Sequence, residues 1–308
     1  NKKQKKKQQK KQNILLIKHG AFGDLIQSDG IFKSIKIRHP KDNLILLTSS
    51  SFKNLMRISP YFDNVIVDNR FSLWNLKSYY YLIKQLNSYK FSHVYDLQNS
   101  QRTLTYKFLL LKNALWLTTK RNDHPQSGLQ GLVDMLKNDG MAAQKIYDPD
   151  ISWMVKDISS LLKRKNISRN YIVLIPGSSR KHPEKRWPFY RAIAEEFIGR
   201  GFDVINILGP DELEMKQDLL GHKLESLEWG DLAGVINSSL FVIGNDSGPS
   251  HIASCLKKPG VAIFGPTTSG PKSELNRPPF KIIETGDLNS LSSADLFKII
   301  KKSCGFLK

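Results

Sequence analysis

Short apolar runs alternate with longer mixed segments from residue 13 onward. Residues 13–17 (Asn-Ile-Leu-Leu-Ile) read as a buried strand. Residues 24–38 read as a helix with Leu25, Ile31, Phe32 and Ile35 on its inner side. Further strands are expected at 43–47, 64–67, 92–97 and 114–117, and helices at 76–86, 103–111 and 129–137. Such a series implies a parallel sheet with helices on both faces. Residues 138–168 break the rhythm with Gly140, Pro149 and a short helix near 158–165, and read as a connection. The alternation then restarts. Strands are expected at 171–175, 203–208, 240–243, 261–264 and 280–283, and helices at 188–200, 211–220, 231–237, 248–256 and 293–302. The expected organisation is one Rossmann-like domain over 13–165, a second over 166–290, and a C-terminal helix over 291–308 that packs back across the domains.

Composition narrows the class. The chain has 308 residues, of which 40% are hydrophobic, too many for a disordered chain. Its two cysteines, Cys255 and Cys304, form neither a disulfide framework nor a zinc cluster and fit a reducing compartment. No apolar run approaches the ~18 residues of a membrane span. Lys18 and His19 cut the first apolar run too short for a signal peptide. A cytoplasmic location is expected, with peripheral attachment to the inner membrane face as an extension.

The charge changes the picture more. Lys and Arg number 47 against 28 Asp and Glu, giving 47 − 28 = +19. Seven lysines fall within residues 2–11, in a low-complexity Lys/Gln start (1–12) expected to be disordered. A positive surface implies nucleic acid, anionic lipid or a phosphorylated substrate as partner.

Ligands of open α/β sheets bind in the crevice at the strand C-termini, so the loops just after strands carry the candidate chemistry. The first is Lys18-His19-Gly20-Ala21-Phe22-Gly23-Asp24. Gly20 and Gly23 permit a tight turn and close backbone approach. Lys18 stands where a dinucleotide fingerprint needs its first glycine, and the second strand ends in Thr48-Ser49 without an acid for a ribose diol. Both features argue against NAD or FAD. Asp24 either stabilises its helix start or acts as a general base. The second loop, Pro176-Gly177-Ser178-Ser179, leads into the basic run Arg180, Lys181, Lys185 and Arg186. Its hydroxyls, N–H groups and cations suit phosphate oxygens. The third, Asn245-Asp246-Ser247-Gly248-Pro249-Ser250-His251, opens a helix and forms a candidate anion site, with His251 facing the ligand or serving a structural bond. Phe264-Gly265-Pro266-Thr267-Thr268 and Leu208-Gly209-Pro210-Asp211-Glu212 lie at the same edge. Asp211 either accepts from a ribose or base or begins its helix.

Other chemistries find no support. Asp148-Pro149-Asp150 mimics a DxD metal site but lies outside a strand end, where Pro149 explains it as a turn. There is no HExxH, GxSxG or GxxxxGK[ST]. The basic residues form no nucleic-acid motif, so a nucleic-acid-binding protein is the non-enzymatic alternative and specific nucleic acid is not an expected partner.

Three of these loops, in order, resemble the family-9 glycosyltransferases, the ADP-heptose:lipopolysaccharide heptosyltransferases. The matching pieces are Gly20-x-x-Gly23-Asp24-Leu25, Pro176-Gly177-Ser178-Ser179 leading to Lys185-Arg186-Trp187-Pro188, and Gly244-Asn245-Asp246-Ser247-Gly248-Pro249-x-His251 followed by Phe264-Gly265-Pro266-Thr267. The resemblance implies a GT-B fold, two Rossmann-like domains facing a cleft, and an inverting transfer from a nucleotide sugar with no metal or other cofactor. By the same resemblance Asp24 is the base, Lys185 holds the donor diphosphate, and Ser178 and Ser179 lie near it. Asp246, Ser247, Gly248 and His251 form the donor turn, and Asp211 is an acid near the ribose. The implied donor is ADP-heptose or another nucleotide sugar, and the implied acceptor an anionic glycolipid. An anionic membrane surface is the expected partner of the lysine-rich start. One departure stands out: where members of that family usually carry a proline after the first helical turns, this chain has Gly30 preceded by Asp29.

Overall fold

The computed structural model describes residues 11–72, 75–109, 113–119, 128–141, 148–179, 181–268 and 270–303. The expectations for residues 1–10, Arg180, Cys304 and the Asp211 side chain lie outside what is described.

Strands buried on both faces read as continuous apolar runs, which is why the apolar blocks locate them. The first eleven elements are β1 (Asn13–Ile17), α1 (Phe22–Gln27), α2 (Asp29–Arg38), β2 (Asn43–Thr48), α3 (Lys53–Arg57), β3 (Asn64–Val67), α4 (Leu76–Ser88), β4 (His93–Asp96), α5 (Gln101–Leu109), β5 (Leu115–Thr118) and α6 (Gly128–Asn138). There follow α7 (Ser159–Arg164), β6 (Tyr171–Ile175), α8 (Tyr190–Ile198), β7 (Asp203–Leu208), β8 (His222–Glu225), α9 (Trp229–Ser238), β9 (Phe241–Asn245), α10 (Gly248–Cys255), β10 (Gly260–Phe264), α11 (Gly270–Ser273), β11 (Phe280–Glu284) and α12 (Ser293–Ser303).

The strands form two parallel sheets, ordered β3-β2-β1-β4-β5 and β11-β10-β9-β6-β7-β8. In each, strand order reverses beside the first strand of that sheet, between β1 and β4 and between β6 and β9. These are the topological switch points at which doubly wound sheets bind ligands. Each sheet has its own core. Leu15, Ile17, Ile45, Leu47 and Ile66 pack against Leu82, Leu86 and Tyr106 in one, and Ile172, Leu174 and Ile243 against Trp187, Tyr190, Ile193 and Phe197 in the other.

By packing, the chain divides into two compact units. One comprises Asn1–Ala21, Gly30–His124 and Gln130–Tyr147, and the other Phe22–Asp29, Pro125–Leu129 and Asp148–Lys308. The division is not a single cut of the chain, because α1 belongs with the second unit. There the Phe22 ring stacks on Trp229, with centroids 3.9 Å apart.

Four local features differ from the sequence expectation. The helix expected over 24–38 is two helices, parted at Ser28. Ser28 turns its hydroxyl back onto the Asp24 carbonyl at 2.7 Å, and Asp29 spends its carboxylate on the Asp150 N–H (2.8 Å) and Trp153 Nε1 (2.9 Å). Gly30, a poor helix former, follows at once. The helix expected over 211–220 is a 3-10 helix, Pro210–Asp218, whose sequence PDELEMKQD lacks an apolar stripe. The short polar strand β8 and the five-residue α3 carry too little periodicity to be read in advance.

Candidate functional site

The switch point of the second sheet gathers most of the candidate residues. The β9 strand ends in Asn245, fully buried, whose side-chain amide donates to the carbonyls of Pro176 (2.8 Å) and Gly177 (3.1 Å). The same side-chain oxygen accepts from the Trp187 N–H (3.1 Å) and the Tyr190 hydroxyl (3.0 Å). One side chain thus ties together the loop after β6, the start of α8 and the end of β9. Every polar atom of that amide has a partner, which makes it a rigid brace for the loops around it.

Next in sequence, Asp246 Oδ2 accepts from Lys185 Nζ at 2.7 Å, with each side chain under a fifth exposed. The two candidates from separate loops therefore form one charge pair at the sheet edge. Ser247 is the N-cap of α10 but makes no side-chain capping bond; its hydroxyl lies 3.3 Å from that of Ser250. The first turn of α10 therefore keeps the positive end of its peptide dipoles uncompensated by a cap. Gly248 opens that helix, and the Phe22 ring fills the space a side chain there would need, 2.8 Å from its ideal Cβ position.

His251, partly exposed, lies in the first turn of α10. Its ring packs on the backbone of Gly23, where a Cβ would collide with the imidazole, so the glycine is required by close approach. The His251 Nδ1 is buried with no hydrogen-bond partner. Burial pulls this imidazole down to about 4. The carboxylates of Asp246 and Asp24 oppose that fall, while Arg277 and Lys185 add to it. His251 is thus neutral at neutral pH, with one ring nitrogen in search of a partner. Asp24, exposed on α1, is near enough to act on its charge. The helix bearing Asp24 packs on α10 inside the second unit, rather than within the first unit as its sequence position suggests.

The loop after β6 places Ser178 and Ser179 differently. Ser178 is buried; its hydroxyl donates to the His182 carbonyl (2.7 Å) and accepts from Arg186 Nε (3.3 Å), so it shapes the loop. Ser179 is exposed. Arg186 also reaches Glu214 at 3.4 Å. The sequence reading missed Glu212. Its carboxylate lies against Gly177, where a Cβ would clash with it, and accepts from the Gly209 N–H at 2.7 Å. It sits beside Asp211, and its signal was its place three residues into the turn after β7, where a side chain can fold back onto the loop start. Asn245 and Trp229 were also missed as site residues. A shallow hollow of about 660 Å³ lies at the same sheet edge, lined by Thr267, Thr268, Lys272 and Thr285.

Gly20 lies in the first unit, with φ 131° and the Phe52 ring 2.7 Å from its ideal Cβ position. Before it, His19 Nε2 stands 2.9 Å from Asp68 Oδ2. Asp68, buried, is gripped by Arg102 through both oxygens (3.0 and 2.9 Å), by the Tyr106 hydroxyl and by the Arg70 N–H (2.8 Å). Burial raises this carboxyl, but the bonds from His19, Arg102 and Tyr106 outweigh it and hold it well below the usual carboxylate range. Among the described residues no group of three or more His, Cys, Asp or Glu side chains is arranged to hold a metal ion. No described helix is long and apolar enough to cross a membrane.

Comparison with known proteins agrees with this architecture. The family described as "Glycosyltransferase family 9 (heptosyltransferase)" matches residues 115–278. A lipooligosaccharide heptosyltransferase 2 of Haemophilus influenzae is 25% identical over 295 residues, covering 83% of this chain and 84% of that protein. Among solved structures, a family-9 glycosyl transferase from Veillonella parvula superposes with a TM-score of 0.81 at 18% identity, covering 95% of this chain and 97% of the other. The Escherichia coli ADP-heptose LPS heptosyltransferase II superposes with a TM-score of 0.74 at 17% identity, covering 94% and 98%. The fold is that of these enzymes, GT-B.

Proposed function

The chain belongs to glycosyltransferase family 9, the heptosyltransferase family, and from that premise we propose that it moves a heptose from ADP-heptose to a lipopolysaccharide-core-type glycolipid, with inversion and without a metal. The heptosyltransferase names of the Haemophilus influenzae and Escherichia coli relatives support the sugar and the acceptor class. One observation carries the site assignment. The Lys185–Asp246 pair, the uncapped start of α10 and the partnerless His251 Nδ1 converge at one switch point, beside Asp24.

The chemistry follows from those positions. The Asp24 carboxylate takes the proton of the acceptor hydroxyl. The freed oxygen forms its bond to the anomeric carbon as the bond from that carbon to the diphosphate oxygen breaks, and the electron pair leaves with ADP. The leaving diphosphate carries growing negative charge. Lys185, held beside the site by Asp246, and the N–H groups of the first turn of α10 stabilise it without reorganising. His251 offers its neutral ring to a phosphate or sugar oxygen. The adjacent acids Asp211 and Glu212, in the turn after β7, offer carboxylates to the ribose. The same chain working on the inner face of the cytoplasmic membrane would meet its glycolipid there.

The test is a thermal-shift and calorimetric screen of nucleotide sugars, since a ligand that binds only the folded state raises the melting temperature. ADP-heptose is expected to give the largest shift. A larger shift with another sugar nucleotide would replace the donor while leaving the site in place.

A further inference from the structure

The α4–α5 side of the first unit has a surface composition unlike its surroundings. Between residues 69 and 109 the sequence carries six basic residues (Arg70, Lys77, Lys84, Lys90, Arg102 and Lys107) and a single acid, Asp96; Arg102 is spent on Asp68, which leaves five unmatched cations. Asp96 is fully buried, so this stretch shows no acidic side chain to solvent.

Helical geometry sorts α4 into two faces. Leu82 and Leu86 are buried against the sheet with Tyr79 beside them. Lys77, Tyr80, Tyr81 and Lys84, at spacings of three, one and three, form the opposite stripe. Tyr80 and Tyr81 are each 59% exposed, with ring centroids 5.9 Å apart, and Leu76 at the helix start is 74% exposed. Lys77 and Lys84 are exposed on either side of them. The patch extends beyond the helix. Phe71, half exposed, lines the same hollow as Tyr81. Tyr79 meets Thr105 of α5 at 3.5 Å, and α5 exposes 65% of Phe108.

Large aromatic side chains normally leave water. Tyrosines with an apolar body and a wet hydroxyl, interleaved with lysines, match the headgroup layer of a bilayer. Lysines add attraction to anionic lipid of about 1 kcal/mol each near the surface.

We propose that the Tyr80–Tyr81 stripe of α4, with Phe71 and Phe108, is a docking surface for an anionic lipid bilayer. The inference does not depend on the identity of the donor or on Asp24 as base. It assigns membrane contact to a folded face rather than to the lysine-rich start.

The test is co-sedimentation of the full chain with phosphatidylcholine vesicles, with and without phosphatidylglycerol. The protein is expected to pellet with the anionic vesicles only and to be released by salt. Tyr80→Ser/Tyr81→Ser should weaken that binding by at least about tenfold, and Lys77→Glu/Lys84→Glu should abolish it. Both pairs of substitutions face solvent, so unfolding midpoints should match the parent. Should the tyrosine pair unfold the protein, the lysine pair alone decides. ADP binding by calorimetry reports separately on the donor site. Three results overturn the proposal: no binding of the parent to anionic vesicles, parent-like binding by both variants (which assigns the contact to the lysine-rich start), or binding of duplex DNA through Lys77 and Lys84 with none to vesicles.

Discussion

The two sheets have the same switch-point topology and carry different charged networks beside it. In the first unit the buried Asp68 carboxylate, just after β3, is held by Arg102 and Tyr106, with His19 of the loop after β1 2.9 Å away, while Asp96 at the end of β4 keeps a buried Oδ2 without a partner. At the end of β9, Lys185 and Asp246 remain partly exposed, α10 starts without a side-chain cap, and His251 Nδ1 has no partner. A carboxylate gripped by several donors holds a loop in shape, whereas unspent donors at a helix start are what an anionic ligand completes. On the proposed function the Asp68 network is architectural and the second switch point binds the donor, and this contrast can be broken at several points.

The largest effect is expected at Asp24. Loss of a general base costs about 10²–10⁴ in turnover. Asp24→Asn should therefore lose transfer by that factor while ADP affinity, measured by calorimetry, stays within about twofold. Turnover near that of the parent removes Asp24 from the reaction. Asp68→Ala comes next and should behave the other way. It leaves the part-buried Arg102 guanidinium without its carboxylate and the Tyr106 hydroxyl without its acceptor, which costs about 3–5 kcal/mol. A large fall in the urea midpoint is expected, with ADP affinity retained by the fraction that stays folded. A loss under about 1 kcal/mol would show that the network holds nothing in place.

Lys185→Ala sharpens the second half of the comparison. A charge-assisted bond is worth about 1.5–3 kcal/mol, so ADP binding should weaken by roughly 10–150-fold. Asp246 is only partly buried, so the unfolding midpoint should move less than for Asp68→Ala. Unchanged ADP affinity would move the diphosphate elsewhere.

Much of this was legible before the structure. Strands such as Tyr171–Ile175 are apolar end to end because both faces are covered, and a run of that kind announces itself. The loops that follow them were legible through their small and charged residues. What escaped was set by distance along the chain. His19 and Asp68 are brought together by the β1-β2-β3 order, which no local pattern encodes. Glu212 and Asp211 are adjacent acids in a polar turn, and only the packing on Gly177 distinguishes Glu212. The assignment of α1 to the second unit follows from two close approaches, Phe22 on Trp229 and Gly23 on His251, that composition cannot foretell.

The smallest effect, and the finest test of the contrast, is the pH response of His251. An unfolded histidine titrates near 6.5, and burial has pulled this one down to about 4. Between those values the unfolded chain binds the proton and the native one does not. Stability is therefore highest above about pH 6.5 and falls as pH drops toward 4. By pH 5.5 the His251 share of that loss is about 1 kcal/mol. Comparing urea midpoints of the parent and His251→Asn across pH 7 to 5.5 isolates it from the other acids, since the variant keeps every group but one. ADP should reverse the sign. Asp246 and Asp24 already pull the imidazole toward protonation against Arg277 and Lys185, and a diphosphate beside it adds further negative charge. ADP's own terminal phosphate titrates in this range and gives both proteins a common slope, so the parent should show an added rise in ADP affinity as pH falls that His251→Asn lacks. Equal pH slopes of ADP affinity in the two proteins would place His251 outside the diphosphate's reach, as a packing partner of Gly23 alone.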